Sequence, residues 1–98
     1  MASIKDPEGV ELRALTALAD FSGKRVLEIG CGDGRLTFLY AGRAAEVLGI
    51  DSEEESISDA RRGLPTELAD RVEFRVADAV TLEVPRARFD IAFLSWSL

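Results

Sequence analysis

The stretch that decides the fold is residues 26–37, which read VLEIGCGDGRLT. It begins with a short apolar run typical of a buried strand, and Gly30, Gly32 and Gly34 then occupy alternate positions. Apolar residues at helical spacing follow. Glycine lets the backbone turn sharply and lets a ligand or a packed strand approach it closely. The stretch therefore predicts a strand, a tight glycine loop and a helix, an arrangement that seats a nucleotide.

The spacing of the glycines distinguishes two kinds of nucleotide cofactor. The pattern G-x-G-x-G is one residue shorter than the dinucleotide fingerprint, and Glu28 stands two residues before Gly30. A carboxylate there would repel a pyrophosphate at the helix N-terminus. It suits a cofactor that carries cationic ammonium and sulfonium groups. An acidic residue followed by G-x-G-x-G resembles the first motif of the class I S-adenosylmethionine-dependent methyltransferases, and a NAD-binding domain is the less favoured alternative.

Composition excludes several classes of function. The 98 residues include 18 acidic and 12 basic side chains, a net charge of −6, and no histidine. We therefore expect no nucleic-acid surface, no His-dependent nucleophile and no bound metal. The single cysteine, Cys31, cannot form an internal disulfide. No apolar run approaches the roughly 20 residues that span a bilayer, so we expect a cytoplasmic protein with no membrane contact.

The remaining pattern alternates strands with helices. The four predicted strands are strand one at 25–29, strand two at 46–50, strand three at 72–76 and strand four at 89–95. A first helix is predicted from a start signal at Asp6 to Ser22, and a second from 34 to about 41. A third helix is predicted to begin at a capping box formed by Ser52 and Glu55 and to end at 63–65, and a single helical turn follows at 66–70. Apolar strands alternating with helices predict an α/β fold, a Rossmann-like parallel sheet of order 3-2-1-4 with helices on both faces. The ligand crevice is then expected between strands one and four.

Asp51 ends strand two about twenty residues beyond the glycine loop, where an acid accepts hydrogen bonds from a ribose. In the resembled family this acid binds both ribose hydroxyls. The alternative is that Asp51 or Ser52 simply caps the next helix. Because a NAD-binding domain uses such an acid in the same way, Asp51 does not separate the two cofactors.

Asp78, at the end of strand three, distinguishes S-adenosylmethionine from NAD better than Asp51 does. The resemblance implies that its carboxylate accepts from the adenine amino group and that the backbone N–H of Ala79 meets the ring. The alternative is a solvated turn aspartate.

The residues that contact the methionine part of the cofactor are assigned by the resemblance alone. It implies that Glu28 helps to hold this part and that backbone near the end of strand four, at Leu94, contacts the amine. An ion pair with Arg35 is the alternative for Glu28. The predicted cofactor-binding residues are Glu28, Gly30, Cys31, Gly32, Asp51, Ser52, Asp78, Ala79 and Leu94. No catalytic residue is predicted.

The resemblance covers strands one to four, and the family normally continues with a further helix and three strands that supply most contacts to the acceptor. We therefore expect residues 1–98 to form the S-adenosylmethionine-binding part of a methyltransferase for an unidentified acceptor, truncated after strand four and inactive alone. The alternative is a non-catalytic binding or assembly module that needs a partner chain. The apolar strand four leaves an unprotected edge, which predicts a homodimer or a partner chain there.

Overall fold

The computed structural model of the chain describes residues 21–78, 80 and 88–95. The prediction for Ala79 and most of the helix predicted from Asp6 to Ser22 lie outside the described residues.

Four parallel strands form one sheet in the order β3-β2-β1-β4. The strands are β1 (Arg25–Ile29), β2 (Glu46–Asp51), β3 (Val72–Val76) and β4 (Ile91–Leu94). The predicted strand order is therefore confirmed. It places the reversal of the winding between β1 and β4, where Ile29 and Leu94 are register partners at the carboxyl ends.

Two α-helices and one 3-10 turn connect the strands. They are α1 (Thr37–Tyr40), α2 (Glu54–Gly63) and a 3-10 turn at Thr66–Leu68. The turn confirms the prediction for 66–70, but α1 is shorter than the helix predicted for 34–41. The reason is local: Gly34 has a φ of +87°, and the Arg35 N–H donates to Asp33 Oδ1 at 3.2 Å. These residues form turns, and the helix begins only after them.

Strand β4 is also shorter than the predicted 89–95. The Arg25 backbone N–H donates to the Asp90 carboxylate at 2.9 Å instead of to a strand carbonyl. The guanidinium of Arg25 binds the same carboxylate at 3.2 Å. This side-chain contact fills the place of a strand hydrogen bond, so β4 begins after Asp90.

The described helices pack on one face of the sheet. Val26 and Glu28 point to that face from β1, together with Val47 from β2. The main core cluster contains Phe21, Val26, Cys31, Tyr40, Ala41, Ala44, Val47, Ile57, Ala60, Val72 and Phe74. A smaller cluster of Leu27, Leu48 and Ile50 lies on the opposite face. Helices were predicted on both faces, and none of the described helices lies on this one.

Candidate functional site

The glycine loop turns sharply over the end of β2. The N–H groups of Gly30 and Cys31 both donate to the Ile50 carbonyl oxygen, at 2.8 and 3.0 Å. The three alternate glycines have φ values of +79°, +59° and +87°, all in the left-handed region. A side chain at any of them would strain the backbone. The loop is therefore a fixed turn with no side chain at alternate positions, as its sequence predicts.

Asp51 joins this loop to the start of α2. Its Oδ2 accepts the Gly32 N–H at 2.9 Å, and its Oδ1 accepts the Glu53 N–H at 2.9 Å. The predicted capping box is wrong: the N-cap of α2 is Glu53 instead of Ser52, and it makes no side-chain cap hydrogen bond. Ser52 is exposed beside it. The half-buried Asp51 carboxylate is thus positioned by two backbone donors.

Glu28 is fully buried, and its two oxygens differ. Oε1 accepts hydrogen bonds from the Thr37 hydroxyl and the Tyr40 hydroxyl, each at 2.6 Å. Oε2 is buried and receives no hydrogen bond from the described part of the chain. Sequence reasoning offered Arg35 as the partner of Glu28 and missed the hydroxyls. The signal was their spacing, since residues three apart on a helix lie on one face.

The Glu28 carboxyl lies at the crevice between β1 and β4. Burial raises its pKa, and the nearby hydroxyls of Ser95, Thr37 and Tyr40 oppose the rise. The Ser95 hydroxyl follows β4 and donates to the Gly30 carbonyl oxygen at 3.1 Å. Burial also raises the pKa of Tyr40, with the Glu28 charge adding to it, so its hydroxyl stays protonated as a donor.

Asp78 lies next to Asp51 at the carboxyl edge. The N–H of Ala77 donates to the Asp51 carbonyl oxygen at 3.0 Å, which brings the ends of β2 and β3 together. Asp78 Oδ1 accepts the Val80 N–H at 2.9 Å, and its side chain is exposed. Leu94, at the end of β4, is 57% exposed. The predicted site residues in the described ranges therefore gather along one edge of the sheet.

The Cys31 side chain is buried in the core beneath the glycine loop. Burial raises the pKa of the Cys31 thiol to about 12, so the thiol stays neutral and unreactive at physiological pH. Among the described residues, no group of three or more His, Cys, Asp or Glu side chains is arranged to hold a metal ion. None of the described helices is long and apolar enough to cross a membrane.

A depression of about 240 Å³ opens at the opposite edge, near the amino ends of β2 and β3. Its charged lining includes Glu46, Arg71 and Arg88. Glu46 and Arg88 pair across 2.7 Å, and Arg71 donates to the Gly42 carbonyl oxygen at 3.2 Å. These side chains lie at the end of the sheet away from the glycine loop.

Comparison with known proteins gives consistent results. A family model described as a methyltransferase domain matches residues 20–98. The chain is 38% identical over 80 residues to an rRNA N(6)-adenosine-methyltransferase of Caenorhabditis elegans, covering 76% of this chain and 37% of that protein. It is 42% identical over 71 residues to a ubiquinone biosynthesis O-methyltransferase of Leptothrix cholodnii, covering 70% of this chain and 30% of that protein.

A solved structure shares the fold and holds the cofactor. The magnesium protoporphyrin IX methyltransferase of Synechocystis PCC 6803 with bound S-adenosylmethionine aligns with a TM-score of 0.70 at 25% identity. The alignment covers 89% of this chain and 41% of that one. Among the curated relatives above, the chain spans about a third of their length, 37% and 30%.

Proposed function

Because this chain belongs to the class I S-adenosylmethionine-dependent methyltransferases, we propose that its carboxyl edge binds S-adenosylmethionine for transfer of the methyl group to an acceptor. The observation that carries the proposal is the hydrogen bond between the Gly32 N–H and the Asp51 carboxylate, 2.9 Å long. This contact joins the glycine loop to the ribose-binding acid predicted from the sequence.

The residues at this edge fit the cofactor. Glu28 Oε2 is a buried acceptor that the described residues leave unused, and the loop carries no side chain at Gly30 or Gly32. Asp51 and Asp78 add two further carboxylates. Such a set favours a cation and disfavours a dinucleotide pyrophosphate. When bound, the cofactor supplies an electrophilic methyl group on a sulfonium.

Asp51 has the free acceptor capacity that a ribose requires. A carboxylate has about four acceptor sites, two on each oxygen, and the backbone occupies one site on each oxygen of Asp51. One site on each oxygen therefore remains for two neighbouring hydroxyls. Because Gly32 and Glu53 already orient the carboxylate, little conformational entropy is lost when the ribose binds.

The described residues serve positioning rather than proton transfer. The chain has no histidine, and the raised pKa of Cys31 keeps its thiol neutral. Holding two reactants in line is itself a large part of catalysis in group transfer. The edge described here therefore orients the methyl donor, and acceptor activation belongs to groups elsewhere.

The acceptor, the partners and the cellular compartment of this chain are each proposed from separate observations. The names of the relatives point to rRNA adenosine and to ubiquinone biosynthesis, so the likeness selects no acceptor. A net charge of −6 disfavours phosphate binding by this chain.

A cytoplasmic location is supported by the one free, buried thiol. Association of a second copy along β4 is supported by its uncharged residues, Ile91–Leu94, with Leu94 exposed.

Titration calorimetry with S-adenosylhomocysteine and with NAD tests the proposal. We expect the first ligand to bind and the second not to bind. Asp51→Ala should weaken S-adenosylhomocysteine binding by about 1.5–3 kcal/mol, or roughly ten- to a hundredfold. Asp59→Ala is the matched control, because Asp59 is exposed on α2 and pairs only with Arg62 among the described ion pairs. Binding of NAD alone, or equal effects of the two substitutions, would contradict the proposal.

A further inference from the structure

Thr37 and Tyr40 place two hydroxyls where the core does not require them. Both side chains are fully buried in α1. The Tyr40 ring stacks on Phe21 with centroids 4.5 Å apart and meets Phe93 edge-on at 5.8 Å. A phenylalanine would keep these ring contacts. The Tyr40 hydroxyl donates to Glu28 Oε1 at 2.6 Å.

The hydrogen bonds to Glu28 are also distributed unevenly between its two oxygens, which a purely structural role does not explain. Burying a carboxylate has a large desolvation cost, which is recovered only when its remaining lone pairs are satisfied. Here both hydroxyls donate to the same oxygen, Oε1 of Glu28, while Oε2 receives no donor from the described residues. Apolar residues of similar volume would fill this space with less desolvation cost. The arrangement fixes the carboxylate but leaves one oxygen for another partner.

The Glu28 carboxyl lies near the carboxyl ends of β1 and β4. Ser95 lies near the Glu28 carboxyl, and its hydroxyl donates to the Gly30 carbonyl oxygen. Glu28 is therefore held between α1 on one side and the ends of β1 and β4 on the other. The Glu28 carboxyl therefore lies beside the glycine loop, where the cofactor is proposed to bind.

We propose that Thr37 and Tyr40 are positioning residues for the methionine ammonium of the cofactor. They hold Glu28 Oε1 at 2.6 Å each, so that Oε2 accepts from the ammonium directly or across one ordered water. The inference rests on the proposed function, because it assigns a role within the same site. It adds two residues of α1 that the glycine motif does not include.

Two ligands separate this role from a structural one. S-adenosylhomocysteine carries the ammonium, whereas 5′-methylthioadenosine shares the adenosine and sulfur but lacks the amino-acid portion. We expect Tyr40→Phe and Thr37→Val each to weaken S-adenosylhomocysteine by roughly tenfold, the scale of a hydrogen bond to a charged group. Binding of 5′-methylthioadenosine should change by less than about twofold. Thr37→Ser, which keeps the hydroxyl, should retain the affinity of the unsubstituted chain.

Phe93→Leu is the control for packing. It disturbs the ring contact with Tyr40 and leaves all three hydrogen-bonding groups in place. It should change the affinities of the two ligands by the same factor. Because the readout is a ratio of two ligands on one sample, a partly unfolded fraction affects both equally.

Each outcome decides the question. A selective loss of S-adenosylhomocysteine affinity in Tyr40→Phe and Thr37→Val supports the positioning role. An equal loss for both ligands, or no loss for either, overturns it. Failure of the unsubstituted chain to bind either ligand would instead overturn the proposed function, and this result is distinct from the first two.

Discussion

Glu28→Gln should stabilise the protein at neutral pH while weakening its cofactor site. Glutamine keeps an acceptor oxygen for Thr37 and Tyr40 but carries no charge. Its amide nitrogen can donate to the hydroxyl oxygen of Ser95, which lies near this carboxyl. The substitution therefore removes the charge and retains the two described hydrogen bonds.

The sign of the effect follows from burial. Burial raises the pKa of Glu28 above its ordinary value of 4.5, outweighing its hydroxyl partners. A carboxyl whose pKa is higher in the folded protein contributes its full stabilisation below its ordinary pKa. This stabilisation is lost as the pH rises through the folded-state pKa. Cys31, Tyr40 and Arg35 interact with this carboxyl. The pKa values of Cys31 and Tyr40 are raised far above that of a carboxyl, and Arg35 stays charged. None of these three groups therefore changes its protonation when Glu28 titrates.

The magnitude is a difference between two opposing effects. A buried charged group with an unmade hydrogen bond costs about 1–3 kcal/mol or more, and the two bonds to Oε1 weaken when they become neutral. We expect a net gain of about 1 kcal/mol, or about 4–8 °C in Tm for a domain of this size. At about pH 4, where Glu28 is protonated in the folded protein, the difference should disappear.

Thermal unfolding followed by circular dichroism at about pH 4 and pH 8 measures this difference. Glu55→Gln is the matched control, because Glu55 is exposed in the first turn of α2 and its substitution should change stability by less than about 0.5 kcal/mol. A lower Tm for Glu28→Gln at the higher pH would refute the reasoning. A gain of the same size at both pH values would refute it as well.

Three further predictions concern stability and reactivity. Gly34→Ala should destabilise the fold by about 1–3 kcal/mol, because its Cβ would lie 2.9 Å from an aromatic side chain at a φ of +87°, whereas Gly42→Ala has no neighbour within 4 Å and should be nearly neutral in chemical denaturation. Hydrogen bonds from an arginine lower the pKa of Asp90 to about 2. Its stabilisation is therefore present above the ordinary pKa and is lost as the pH falls through about 2, and Asp90→Asn should remove this acid-side dependence from a pH series of unfolding. Cys31, with its pKa raised to about 12, should resist iodoacetamide at about pH 8 and react once guanidinium unfolds the chain.

The sheet was predictable because its signals are local and redundant. Each strand is a short apolar run between polar residues, and alternation with helices leaves few topologies. The bounds of β1 and the order β3-β2-β1-β4 agree with the prediction. The left-handed Gly30, Gly32 and Gly34 also follow from the sequence, because other residues avoid that conformation.

The cap of α2 and the partners of Glu28 depend on contacts between segments. Ser52 and Glu55 fit a capping box, but the N-cap of α2 is one residue later, at Glu53, whose N–H donates to Asp51. Asp51 also accepts the Gly32 N–H from the glycine loop, a contact between segments that sequence spacing does not show. The length of α1 was overestimated for a similar reason, because apolar spacing does not register the turn at Gly34. The role of Asp78 beside Ala79 stays a prediction.

The most direct test of cofactor binding at the carboxyl edge is an amide NMR titration of the ¹⁵N-labelled chain with S-adenosylhomocysteine. We expect the largest shift changes at Gly30, Gly32 and Asp51, with smaller changes at the opposite edge, around Arg71 and Arg88. Changes centred on the depression that Arg71 and Arg88 line, with the glycine loop unaffected, would contradict it.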